Sequence, residues 1–138
     1  MIRKIKFKKA FGILLLVFFC SSCGDEDPSA QELAFQKLSG RWSLSSASGI
    51  LLDNRDVSLN YTGFSLSFTE NSYATTNAGG LFLAEGTWEW SSAEATQISL
   101  DETLVLTLQE LSSNRLRLTF NKSGSMVSGV NGEYVLSL

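Results

Sequence analysis

Apolar and polar residues alternate along most of the chain after Gly40, and this alternation is the main signal in the sequence. Every second residue is apolar in the clearest runs, which cover residues 64–68, 104–109, 115–120 and 134–138. A period of two places apolar side chains on one face of a β-sheet and polar side chains on the other. The pattern therefore predicts an all-β domain whose sheet has one apolar face.

Turn-forming residues separate these runs at intervals of roughly ten residues. They occur at 70–71, 77–80, 112–114 and 131–132. This spacing predicts an antiparallel, up-and-down meander of about eight strands, either closed as a barrel or folded as a sandwich. The one long connection, residues 48–63, is predicted to hold a short strand or a turn of helix.

The first 23 residues have a different composition from the rest of the chain. Five cations precede an apolar run from Ala10 to Cys20, and two serines follow it. A basic head, a short apolar middle and a small-residue exit predict a secretory signal peptide. The apolar run is about half the ~20 residues needed to span a bilayer as a helix, so a permanent transmembrane helix is not expected.

The exit of this segment, Cys20-Ser21-Ser22-Cys23, resembles the lipobox of bacterial lipoproteins. The resemblance implies cleavage before Cys23 and attachment of acyl chains to that residue. An ordinary signal peptide that leaves Cys23 as a free thiol is the alternative. The acidic residues at 25–27 form either a solvated spacer or a segment resembling the export signal of Bacteroidetes surface lipoproteins.

These boundaries divide the chain into three parts. We expect a lipoprotein signal peptide at 1–22, a lipidated acidic tether at 23–32 and a β-barrel domain at 33–138. Residues 32–38 are predicted to form either one or two turns of helix or an extended lead-in, because Leu33, Phe35 and Leu38 recur near helical spacing.

The charge of the mature chain excludes some classes of partner. After residue 22 there are six cations against 14 acids, a net charge of −8. An acidic chain without a basic stripe argues against nucleic-acid binding and against electrostatic docking to anionic lipid. We therefore expect the acyl chains on Cys23 to make the membrane attachment.

The residue types that are missing also restrict the chemistry. The chain has no histidine, and its two cysteines lie at positions 20 and 23. Catalytic triads and the usual zinc sites cannot be built without histidine or a free thiol. No cofactor or metal is predicted, and the expected protein is not an enzyme.

Two groups of acidic residues are candidate sites. Asp53, Asn54 and Asp56 could hold calcium, but they lack the spacing of a calcium loop, so a solvated loop is the preferred interpretation. Glu85 and Glu89 have the same strand parity and could serve as the two carboxylates of a hydrolase. An exposed, wet surface is the preferred interpretation of this pair as well.

Five aromatic residues share the apolar parity of their strands, and two interpretations of them stay open. They either fill the core or line an apolar pocket for a small apolar ligand. The interior of an eight-stranded barrel is just wide enough to be filled by side chains or to hold one small ligand. These residues are Trp42, Phe68, Trp88, Phe120 and Tyr134.

A series of short motifs, none of them specific alone, occurs in a recognisable order. It begins with Leu38-Ser39-Gly40-Arg41-Trp42, continues through Gly63–Phe68 and Gly86-Thr87-Trp88, and ends with Leu116–Phe120 and Gly132–Leu136. This order resembles the lipocalin-like domain of Bacteroidetes outer-membrane lipoproteins. The resemblance implies a small up-and-down β-barrel and brings no established activity.

Together these observations predict a non-enzymatic lipoprotein of the outer membrane, facing the periplasm or the cell surface. Its barrel is expected to act as a rigid scaffold, and a pocket for a small apolar ligand is one interpretation of its interior. The alternative is a solid barrel that contacts another envelope protein.

Overall fold

The computed structural model describes residues 26–124 and 130–138. It contains one α-helix, α1 (Ala30–Leu38), and one 3-10 helix (Ser58–Tyr61). Ten β-strands make up the rest of the regular structure, which confirms the all-β prediction. They are β1 (Gly40–Ser43), β2 (Gly49–Leu52), β3 (Arg55–Asp56), β4 (Ser65–Phe68), β5 (Ser72–Thr76), β6 (Glu85–Trp90), β7 (Gln97–Leu100), β8 (Leu104–Leu111), β9 (Leu116–Lys122) and β10 (Gly132–Ser137).

Helix α1 starts at a capping box. The hydroxyl of Ser29 accepts a hydrogen bond from the backbone N–H of Glu32, and the Glu32 carboxylate accepts one from the backbone N–H of Ser29. This reciprocal pair satisfies two backbone donors that a helix start leaves unpaired. Of the two alternatives for residues 32–38 the helix is therefore the one that forms, and it also takes in Ala30 and Gln31.

The strands form one curled antiparallel sheet in the order β1-β4-β5-β6-β7-β8-β9-β10-β2-β3. From β4 to β10 each strand pairs with the next strand in the chain, as an up-and-down meander requires. Strands β1 and β2 follow one another in sequence but pair with opposite ends of this series, β1 with β4 and β2 with β10. The five residues between them, 44–48, therefore bring the two sides of the curled sheet together, and the fold is barrel-like.

The described residues form ten strands, compared with the eight or so expected. The long connection at 48–63 contains β2 and the two-residue strand β3 as well as the 3-10 helix, so both of its predicted alternatives occur there. Residues 53 and 54 join β2 to β3 with positive φ angles of 47° and 65°. Two consecutive left-handed residues are what a tight type I′ hairpin needs.

The two ends of the barrel differ in what covers them. Helix α1 lies at one end, where Gln31 Nε2 donates to the Ser92 carbonyl in the β6–β7 connection (3.0 Å) and Phe35 stacks on Trp88 (5.9 Å). We call this the helix end. The connections β2–β3, β5–β6 and β7–β8 gather at the opposite end, together with the end of β9 and the start of β10, and we call this the cleft end.

The apolar stripes of the sequence face the interior. Phe64, Leu66 and Phe68 are at most 1% exposed, and Leu116, Leu118 and Phe120 are at most 3% exposed. In β8 the pairing with β9 shifts between Leu108 and Glu110, where the strand has an irregularity of the bulge type. The bulge lets both Leu108 and Leu111 pack against the core, although their spacing breaks the period of two.

Candidate functional site

The five aromatic residues considered as ligand contacts are all buried, with exposures from 0% to 8%. Four of them belong to two separate clusters. At the helix end, Phe68 meets Trp88 edge to face at 5.6 Å. Toward the cleft end, Phe120 stacks on Tyr134 at 5.1 Å and 12° and lies 5.2 Å from Phe82.

The polar atoms of three of these aromatic residues are engaged by the backbone. Trp42 Nε1 donates to the Leu38 carbonyl at the end of α1 (2.9 Å), and Trp88 Nε1 donates to the Thr69 carbonyl (2.7 Å). The Tyr134 hydroxyl donates to the Val130 carbonyl (2.7 Å). Buried indole and phenol groups need such partners, and here the partners belong to the fold itself.

The acidic residues considered as sites are spread over the surface. Glu85 and Glu89 are both exposed on β6. Asp53 Oδ1 accepts the backbone N–H of Glu133 (2.9 Å), and Asp56 Oδ1 accepts that of Ser58 (2.9 Å), so both carboxylates hold local structure. Among residues 26–124 and 130–138, no three carboxylate, cysteine or histidine side chains are grouped as metal ligands.

Cys23 and the predicted signal peptide lie outside the described residues. Within the described part of the chain, neither helix has the length and apolar character needed to cross a bilayer.

An open cleft of about 510 Å³ lies at the cleft end of the barrel. Its walls come mainly from two connections, β5–β6 and β7–β8, and from the end of β9, which the meander brings together. Lining side chains and backbone are contributed by Tyr73, residues 79–83, Leu100, Asp101, Thr103, Leu104 and residues 121–123.

Asp101 is the anionic group of this cleft, and two hydrogen bonds fix it. It accepts from the Tyr73 hydroxyl, and its Oδ1 accepts from the backbone N–H of Thr87 (2.9 Å). Asp101 and Glu102 form the β7–β8 turn with positive φ angles of 50° and 59°. Burial and, next, the hydrogen bond to Asp101 raise the pKa of Tyr73 above its ordinary value, so the phenol stays protonated and donating.

Lys122 is the cationic group of the cleft, and backbone carbonyls fix it. Its Nζ donates to the carbonyl oxygens of Gly80 and Leu81, the latter at 3.1 Å. These bonds tie the end of β9 to the β5–β6 connection. The one ion pair within 4.0 Å in the described ranges joins Arg115 to Glu110, so Lys122 and Asp101 line the same cleft without a salt bridge between them.

The cleft residues were not identified as a site from the sequence. Asp101 and Glu102 lie between two alternating runs of the sequence, and Lys122 is the last residue of another. No local spacing connects them, because only the pairing of β7, β8 and β9 brings the turn and the strand end to the same place. The available sequence signal was a charged residue at the end of β7 and another at the end of β9, and this signal is too weak to identify a site.

Comparison with known proteins gives no relative. No family model, no curated protein and no solved structure matches the chain.

Proposed function

We propose that this protein is a non-enzymatic lipoprotein of the bacterial cell envelope, held in the outer membrane by acyl chains on Cys23. The single observation that carries the proposal is the succession of basic head, apolar run and Cys20–Cys23 at the start of the chain. Several acyl chains, each contributing about 0.8 kcal/mol per buried methylene, anchor a protein firmly, whereas one chain binds only marginally.

The position of α1 supports a definite orientation of the anchored barrel. The tether leads directly into α1, which begins at Ala30 and packs on the helix end. Acyl chains on Cys23 therefore hold the helix end toward the membrane. The cleft end faces away from the membrane and is the part of the protein that other molecules reach first.

The packed aromatic interior supports a barrel that acts as a rigid scaffold. The ring of Phe120 packs against the rings of Tyr134 and Phe82, and these rings fill the space between the strands. Contacts with other molecules are then made by the outer surface and the connections, as in an envelope interaction module. The up-and-down strand order is compatible with the resemblance to the lipocalin-like lipoprotein domain, which remains part of the proposal.

The anchor is tested with cysteine variants in a bacterial host. The full-length chain, Cys23→Ser and Cys20→Ser are grown with an alkyne-bearing palmitate, and membrane and soluble fractions are compared. We expect label and membrane retention in the wild type and in Cys20→Ser, the matched control. Cys23→Ser should lose both. Label that persists in Cys23→Ser would contradict the proposal.

A further inference from the structure

We propose that the cleft at the end opposite α1 binds a neutral, hydroxyl-rich ligand, namely a sugar residue of a glycan. This inference rests on the geometry of the cleft and does not depend on the lipid anchor. The cleft volume of about 510 Å³ falls in the range of roughly 300–1,000 Å³ that is usual for small-molecule sites.

The two charged groups of the cleft are held in place before any ligand arrives. An ammonium group has three N–H donors, and the carbonyls of Gly80 and Leu81 accept two from Lys122, which leaves one donor beyond these bonds. A carboxylate has about four acceptor positions, and Tyr73 and Thr87 occupy two of those on Asp101. Because both side chains are already held in place, ligand binding costs less conformational entropy than it would if the ligand had to order them.

A hydroxyl group suits this pair better than a charged group does. An anionic ligand that approached Lys122 would be repelled by Asp101, and a cationic ligand that approached Asp101 would be repelled by Lys122. A hydroxyl donates to a carboxylate and accepts from an ammonium, so neighbouring hydroxyls of one sugar ring can satisfy both. The exposed amide of Asn121 adds a donor and an acceptor at the same wall.

The remaining wall is apolar and matches the C–H face of a sugar. Leu83, which is 61% exposed, and the half-buried Leu104 both line the cleft. Covering these groups with a pyranose face would remove apolar surface from water. Because the wall is aliphatic and the polar contacts are few, we expect weak binding, with a Kd of about 1 mM.

The test is ligand-observed NMR on the full-length protein, purified in detergent from the cell fraction, membrane or soluble, in which it occurs. The probes are lactose, maltotriose, mannobiose and chitobiose, with glucuronic acid and glucosamine as charged comparisons. We expect saturation transfer to at least one neutral sugar and weaker transfer to both charged ones. No transfer to any neutral sugar at 20-fold the expected Kd, or stronger binding of a charged sugar, would overturn the proposal.

Two variants place the binding in the cleft. Asn121→Ala removes the amide, and Leu83→Ala removes the rim contact. Neither side chain is buried, so the fold should persist, and a circular-dichroism melt checks this. The matched controls are Asn60→Ala and Leu59→Ala, exposed neighbours in the 3-10 helix. We expect each cleft variant to bind at least fivefold more weakly and each control to bind as wild type. Equal loss in cleft and control variants, or no loss in either, would contradict the assignment.

Discussion

The interior packing makes a quantitative prediction for Phe120→Ala. Phe120 is 3% exposed, and its ring centroid lies 5.1 Å from that of Tyr134 and 5.2 Å from that of Phe82. Truncation to alanine removes both ring contacts and leaves a cavity between strands that the sheet pairing prevents from collapsing. Phe→Ala changes in packed cores cost about 3–5 kcal/mol of unfolding free energy, and one stacked and one tilted ring partner place this site near about 4 kcal/mol.

The assay is urea unfolding of the chain from residue 24 onward, followed by tryptophan fluorescence and far-ultraviolet circular dichroism. In a thermal melt of the same protein, a loss of about 4 kcal/mol of unfolding free energy corresponds to a fall in Tm of about 15 °C for a domain of this size. Leu59→Ala, at a position 91% exposed, is the control and should change the unfolding free energy by no more than about 0.5 kcal/mol.

The outcome separates a filled barrel from a hollow one. If Phe120 lined an empty ligand pocket, its ring would already lack neighbours on one side, and the Phe120→Ala change would remove few contacts. A cost of about 1 kcal/mol or less, with an unchanged dependence of unfolding on urea concentration, would refute the packing argument.

Two further predictions concern the packing around Asp101 and the buried hydroxyl groups of Tyr73 and Tyr134. A Cβ on Gly86 would collide with Asp101 Oδ1 and lie 2.7 Å from Tyr73 Cε1, so Gly86→Ala should cost about 2 kcal/mol in urea unfolding, whereas Gly80→Ala, with 3.7 Å of clearance, should cost little. Equal costs would contradict this. Burial raises the pKa of Tyr73 and Tyr134 above the ordinary 10.0, so their stabilising effect is complete below about pH 10 and is lost as the pH rises further. The urea midpoint of unfolding should fall between pH 8 and pH 11. This fall should be smaller in the variant that carries both Tyr73→Phe and Tyr134→Phe than in the wild type, and an identical fall in the two proteins would refute the argument.

The sheet could be predicted from the sequence because apolar residues occupy one of its faces in a regular alternation. The runs at 64–68 and 116–120 alternate without interruption, and both bury every apolar position. The bulge in β8 could not be predicted, because Leu108 and Leu111 have no shared period until the pairing with β9 shifts.

Core residues supplied by connections were also beyond sequence reasoning. Tyr61, Leu81 and Phe82 are each at most 9% exposed, yet they lie in the 3-10 helix and the β5–β6 connection, where no repeat marks the buried side. Their burial depends on Tyr134 and Phe120, which are distant in the chain. The cleft was missed for the same reason, since it is a product of how connections meet at one end of the barrel.

The most direct test of the proposed anchor is the intact mass of the protein extracted from the envelope of a bacterial host. The account predicts a mature chain that begins at Cys23 and carries the added mass of acyl chains on that residue. A chain that retains residues 1–22, or one that begins at Cys23 with an unmodified thiol, would contradict it.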